Sequence, residues 1–399
     1  MDAIKSFFVD VKRGSFSPEV LPDDENLLDR FKGCMAGALL GDCLGYFYEE
    51  YNDVDVDIRP FELLSDLDAG LKRLKLTPKF TDDTVFTVAL AESFLERDGF
   101  NAVDFARRYA LFSSSAVDPS APIFVASWKK FPGRCYGCGI KPLCTKFEKM
   151  NYVNPPAIAL TLWDGGSFGN GAAMRIMPVA LLYHDDEDKL VCMAEEVSKV
   201  THAHRLGYLG GVLLALAMHL IFKEPLGSVI EANAFLGRLI DAIGKIEAEI
   251  PVGSDSDSVG ETMNQISYAK KLEAVRELLE KEASIDEVVT RLGNEDTAHR
   301  SVPTAIYCFL KCLGPISGFS SDSSMERTIA LACDIGGDTD TIGTMAGALS
   351  GVHVGFEGVP KTWLSKCEQH ERSVKLGDRL YAMYKRHNNA KRLRKKEVD

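Results

Sequence analysis

Apolar residues recur at three- and four-residue steps along most of the chain, and strict alternation is scarce. That period predicts helices over residues 27–51, 84–96, 172–182, 189–200, 206–222, 272–282, 303–312 and 325–333. No Asn-Gly pair stands between alternating runs, as a hairpin would require. Residues 113–160 mix Pro, Gly, Cys and aromatics without a period and predict an atypical excursion. Residues 251–260 predict an exposed loop, residues 1–26 a flexible leader, and residues 384–399 a basic tail. The fold class that follows is all-α, with one domain over residues 27–383.

Two segments break the usual preference against glycine in helices. Gly33, Gly37, Gly41 and Gly45 recur every four residues, and so do Gly343, Gly347, Gly351 and Gly355. At 3.6 residues per turn each set draws a bare stripe along one helix face. Each glycine costs about 1 kcal/mol relative to Ala, and close helix-helix contact can offset that cost. Asp42, Glu49, Glu50 and His353 on the same segments argue for a soluble core rather than a membrane dimer. Antiparallel packing of the two would bring Glu49 beside residues 338–341.

The composition is that of an ordinary globular chain: 46% hydrophobic, 26% charged and a formal net charge of −12. No apolar run approaches the roughly 20 residues of a membrane span, and acids in the first 20 residues disfavour a secretory signal. Seven of the 46 basic residues lie between Lys385 and Lys396. The acidic body repels phosphates, so direct DNA binding by it is not expected. The basic tail reads either as a solvated terminus or as a nuclear-import or polyanion patch. Cys135, Cys138 and Cys144 have the knuckle spacing of zinc sites, but no fourth ligand is nearby and reduced thiols are the better reading. A monomer is expected.

Candidate chemistry gathers in a few short segments. Thr81-Asp82-Asp83-Thr84 precedes one apolar helix, and Asp338-Thr339-Asp340-Thr341 opens another. Asp and Thr are good N-caps, but one cap needs one residue, and adjacent like charges need a neutralising partner. If the clusters converge, their oxygens suit two hard divalent cations about 3.5–4 Å apart. The run Gly165-Gly166-Ser167-Phe168-Gly169-Asn170-Gly171 reads as a phosphate-binding loop or as a plain turn. Phe168 could stack on a base or plug the core, and Ser167 lacks the surroundings of a nucleophile. His202 and His204, in Thr-His-Ala-His, read as structural groups before ligands, one facing inward while the other is solvated.

In order along the chain, FKGCMAGALLGDCLGYFYE from Phe31, TDDT from Thr81, GSFGNGAAMR from Gly166, THAHRLGY from Thr201, SVPTAIYCFL from Ser301 and GGDTDTIGTMAGA from Gly336 resemble the ADP-ribosyl-acceptor hydrolase (ADP-ribosylglycohydrolase) family. The similarity covers most of residues 30–370 and is greatest to the third member, which acts on serine-linked ADP-ribose and poly(ADP-ribose). It implies a single compact orthogonal helix bundle with a binuclear magnesium site at its centre, manganese being a substitute. By motif position one ion would be held by Thr81, Asp82, Asp83 and Asp340, and the other by Asp338, Asp340 and Thr341 with Glu49. Glu49 would be the catalytic acid/base group. Asp82, residues 165–171, His202 and Asp296 would contact the substrate.

The implied function is magnesium-dependent hydrolysis of the O-glycosidic bond between ADP-ribose and an acceptor: serine on proteins, poly(ADP-ribose) or O-acetyl-ADP-ribose. The implied setting is nuclear and cytoplasmic, with the mitochondrial matrix a further option, in the DNA damage response. Departures from the family pattern are Leu162 for Phe, Phe168 for Tyr, and Asp296 where an apolar contact is expected. They keep a non-catalytic ADP-ribose-binding relative as the alternative. A haloacid-dehalogenase-type phosphoryl transferase fits less well, because Ile342 stands where its motif needs Thr and no hydrophobic strand abuts Asp338.

Overall fold

The computed structural model describes residues 24–51, 60–74, 77–113, 134–163, 165–250 and 265–396. Most of the expected leader, residues 114–133 of the expected excursion and the 251–260 loop lie outside them. The described residues form 18 α-helices and no strand. In chain order these are α1 (Asp24–Tyr51), α2 (Pro60–Ser65), α3 (Leu67–Leu74), α4 (Asp82–Arg97), α5 (Ala102–Ser113), α6 (Ile140–Lys149), α7 (Pro155–Leu160), α8 (Met177–Tyr183) and α9 (Glu187–Lys199). Then follow α10 (Arg205–Phe222), α11 (Ala232–Glu249), α12 (Tyr268–Glu280), α13 (Ile285–Arg291), α14 (Ala298–Lys311), α15 (Ser324–Asp334), α16 (Thr339–Val354), α17 (Lys361–Leu364) and α18 (His370–Lys396).

The glycine stripes do what bare faces allow. α1 and α16 lie antiparallel with their backbones in contact. A Cβ on Gly37 would sit 2.2 Å from the Gly347 carbonyl oxygen, and one on Gly41 would sit 1.9 Å from that of Gly343. No real Cβ tolerates such distances. At the far end Gly45 faces the backbone of Thr339 and Asp340, and the Thr339 hydroxyl donates to the Gly45 carbonyl at 2.8 Å. The last turn of α1 therefore meets the first turn of α16.

Other helices wrap this pair. α18 crosses α1, where the Ser373 hydroxyl donates to the Met35 carbonyl at 2.7 Å. Contrary to the expectation that no apolar run approaches a membrane span, α10 is long and apolar enough to cross a membrane by length and composition, but other helices cover nearly all of it. Its opposite neighbours include α9, where Gly211 lies against Ser198. Phe31 of α1 meets Phe222, His184 and Tyr384, closing the core at the end away from the acids.

Three further expectations need correction at this level. The helix read over 172–182 is broken: a single 3-10 turn covers Asn170–Ala172, and α8 starts afresh at Met177. Pro178 has no N–H for a continuous ladder and is tolerated only in a first turn. Residues 140–160, read as irregular, hold α6 and α7. The basic residues after 384 continue α18 as far as Lys396 rather than forming a separate segment.

Candidate active site

The α1–α16 pairing and the start of α4 bring together acids far apart in sequence. Carboxylate oxygens of Asp42, Asp83 and Asp340 lie within 4.8 Å of one another, and so do those of Glu49, Asp338 and Asp340. The two triads share Asp340. Asp338 is the N-cap of α16, and Thr341 in its first turn has its hydroxyl 3.4 Å from Asp83 Oδ2. Thr81 N-caps α4, its hydroxyl accepting from the Asp83 N–H at 3.3 Å. The expected metal residues Glu49, Thr81, Asp82, Asp83, Asp338, Asp340 and Thr341 thus sit in one region, with Glu49, Asp82, Asp338, Asp340 and Thr341 on one cavity wall.

Asp42 is the residue that motif spacing missed. It is fully buried in α1. One oxygen receives the Thr81 N–H at 2.9 Å and faces the Thr81 hydroxyl at 3.0 Å; the other receives the Thr84 N–H at 3.0 Å and the Thr84 hydroxyl at 2.5 Å. A carboxylate offers about four lone-pair sites; three meet donors of their own here, and the fourth shares the single Thr81 hydroxyl proton with Asp83 Oδ2, which lies 2.9 Å from that hydroxyl. Asp42 therefore shapes the Thr81–Thr84 turn rather than standing free for a cation. Its only local sign is a charge on an otherwise apolar glycine helix. Arg134 supports the same turn: its guanidinium donates to the Phe80 carbonyl at 2.6 Å, and its own carbonyl accepts the Asp82 N–H at 2.9 Å.

Electrostatics set the requirement for a counter-charge. Burial, then Asp340 and Asp42, push the Asp83 carboxyl well above its usual range. Burial, then Glu49, does the same to Asp340, and burial, then Asp42, to Asp82. Asp42 is raised to about 6 by burial, with its four hydrogen bonds opposing. Glu49 reaches solvent, yet desolvation and then Asp338 raise its carboxyl to about 7. Asp83 Oδ1 is buried with no hydrogen-bond partner. Hard oxygen donors, crowded like charges and an orphaned carboxylate oxygen fit divalent cations.

A cavity of about 420 Å³ opens beside the acids. Ser167, Phe168, Gly169, Asn170, Gly171, His202 and Asp296 line it; Gly165 and Gly166 do not. Two backbone bonds pin the loop to the segment before α14: Asn170 N–H to the Asp296 carbonyl at 2.9 Å, and Ala298 N–H to the Phe168 carbonyl at 3.0 Å. The Asn170 amide donates to Asp338 Oδ2 and, at 3.0 Å, to the Ser301 hydroxyl, tying loop to acids. The Ser167 hydroxyl accepts from the Gly169 N–H at 3.2 Å, a turn contact without a general base. Phe168 is half-buried and meets His204 edge-on at 5.6 Å. His204 caps α10, while His202 is buried against the loop.

Cys135 and Cys138 also line the cavity, but Cys144 is buried beside the Ser113 hydroxyl at 3.2 Å. Among the described residues these three thiols form no metal-binding group. Nor does any strand abut Asp338 among them, so the phosphoryl-transferase geometry is not present there.

Comparison with known proteins agrees with this geometry. The ADP-ribosylglycohydrolase family model matches residues 23–390. The chain is 37% identical over 369 residues to the human protein named ADP-ribosylhydrolase ARH3, covering 90% of this chain and 94% of that one. The Xenopus tropicalis protein of the same name is 35% identical over 360 residues, covering 90% and 96%. A solved structure described as an ADP-ribosylglycohydrolase-related protein complex superposes with a TM-score of 0.59 at 23% identity, covering 90% of this chain and 99% of that one; it shares the fold. With a family model spanning nearly all of its helical body, the chain belongs to the ADP-ribosylglycohydrolase family and is a glycosyl hydrolase.

Proposed function

We propose that this protein hydrolyses the O-glycosidic bond joining ADP-ribose to an acceptor, with serine on proteins as the main linkage and poly(ADP-ribose) or O-acetyl-ADP-ribose as further substrates. The observation that carries the reading is the carboxylate triad Glu49, Asp338 and Asp340 on the wall of a nucleotide-sized cavity, with Asp83 close behind Asp340. The names of the ARH3 relatives support ADP-ribose as the glycosyl part.

Two magnesium ions, or manganese in their place, suit the acids. Thr81, Asp82, Asp83 and Asp340 would hold one, and Asp338, Asp340, Thr341 and Glu49 the other. When bound, such ions supply positive charge to ribose hydroxyls and lower the pKa of a bound water. The chain's own residues do the rest. Glu49 stands at the solvent edge of the acids, where its carboxyl can hold or give up a proton. That proton suits a leaving serine oxygen as the anomeric carbon becomes oxocarbenium-like. Within residues 165–171, Ser167, Phe168 and Gly171 would offer backbone N–H groups to the diphosphate, and the Phe168 ring would meet the adenine. Asn170 fixes the loop's position relative to Asp338.

The reduced thiols and the basic end of α18 support nuclear and cytoplasmic residence, with ADP-ribosylated proteins as partners and a monomeric state. The deciding assay follows ADP-ribose release from a serine-modified peptide, with and without magnesium. Release that requires the metal is expected; binding without release would make the protein a reader instead. In the same assay Glu49→Gln should lower turnover while leaving ADP-ribose affinity within about tenfold. Unchanged turnover removes Glu49 from the reaction.

A further inference from the structure

Arg175 is fully buried, yet no carboxylate forms an ion pair with it among the described residues. Its guanidinium lies over the rings of Phe105 and Tyr109, at 5.3 Å and 5.6 Å. Its hydrogen bonds go to the Gly171 carbonyl and, at 2.5 Å, to the Thr201 hydroxyl, while Nε has no partner. A buried cation without a counter-ion is costly, so its place beside the nucleotide loop calls for a reason.

The reason lies in what a guanidinium forces on its neighbours. It has donors only, so the Thr201 oxygen must accept from it. The hydroxyl proton of Thr201 is then left for another acceptor, and His202 Nδ1 stands 2.7 Å away. A ring nitrogen that accepts carries no proton, so the proton of the neutral imidazole sits on Nε2. Nε2 faces the glycine loop: a Cβ on Gly171 would lie 3.0 Å from it, and one on Gly169 3.5 Å. His202 lines the cavity at that point.

We propose that Arg175 and Thr201 are positioning residues that lock His202 as the Nε2–H tautomer, so that the loop presents one directed N–H donor to an oxygen of the bound nucleotide sugar. This rests on the cavity being the ADP-ribose site. The arrangement also keeps the ring from becoming a cation: burial, then the nearby Arg175 charge, holds His202 well below the usual histidine range. A lysine in place of Arg175 could not hold the Gly171 carbonyl and the Thr201 hydroxyl in one planar fork.

The test reads the tautomer directly. Two-bond proton–nitrogen correlations of the imidazoles in uniformly labelled protein, with His202 assigned through His202→Gln, should show a protonated Nε2 and a bare Nδ1. Thr201→Val should mix the two tautomers and weaken ADP-ribose binding about tenfold by calorimetry, and Thr201→Ser should restore both. A protonated Nδ1 in the unaltered protein overturns the proposal, as does Thr201→Val with unchanged tautomer and affinity. If Thr201→Val fails to fold, the spectrum of the unaltered protein decides alone. If the unaltered protein does not bind ADP-ribose, the nucleotide reading of the cavity fails, while the spectrum still decides the relay.

Discussion

Asp42 and Asp83 differ by what surrounds each oxygen. Asp42 faces donors on every side, whereas Asp83 keeps one buried oxygen without a partner. One acid therefore builds the turn and the other is left for a ligand. Asp42→Asn turns one acceptor oxygen into a donor NH2 group facing Thr81 or Thr84. The turn then loses its anchor, and magnesium or manganese affinity by calorimetry should fall about 10- to 100-fold, the usual range for supports of a metal ligand. Unchanged affinity would show that the turn holds without it. Asn170 and Ser167 make the complementary point. Both belong to a loop readable as ligand-binding, yet the Ser167 side chain closes the loop's own turn and that of Asn170 ties the loop to Asp338 and Ser301.

At the scale of elements, the α1–α16 contact places the acids. It is a backbone contact, so side-chain repacking cannot absorb an added methyl group. Gly41→Ala would put a Cβ 1.9 Å from the Gly343 oxygen and force the helices apart. Overpacking of this kind costs about 1–3 kcal/mol, and the upper part of that range is expected in denaturant unfolding. Weakened metal binding should accompany it, because Glu49 and Asp340 sit at the end of the same pair. Ala at Gly237 is the control, since only the tip of Arg276 approaches it at 3.9 Å. The mostly buried helices α1, α4, α10 and α16, each with a long apolar stretch, were legible from their sequence. Less legible were α7, with six residues, and α18, with polar and basic residues throughout. A short or polar helix owes its existence to the surface it packs on, which local pattern does not record. The start of α14 was misplaced at Pro303; the helix begins five residues earlier, at Ala298, and carries the proline inside.

Across the whole molecule the acids make metal and pH interdependent. In the metal-free protein the carboxyls of Asp42 and Glu49 are raised to about 6 and about 7, and those of Asp82, Asp83, Asp338 and Asp340 are raised as well. A carboxyl raised by folding favours the folded state below its ordinary pKa near 4. That contribution is lost as pH rises through the raised value. Bound cations favour the ionised form instead. The gap in melting temperature between magnesium-loaded and chelated protein should therefore widen from pH 5 to pH 8. The buried histidines, held neutral in both forms, cancel in the difference. A gap that is constant or shrinks with pH would mean that the acids do not carry the binding.

The sequence by itself determined the helical period, the two bare stripes and the pairing of acids with hydroxyls at two helix starts. These are local patterns, written within a few turns of chain. It also carried the order of motifs that placed the chain in its family. Only the tertiary structure decided that residues 81–83 and 338–341 meet, that Asp42 joins them, and that Arg175 reaches His202 through Thr201. Those contacts link segments distant in sequence, and burial makes them strong. Neither the distance nor the burial of a polar group appears in the spacing of residues along the chain.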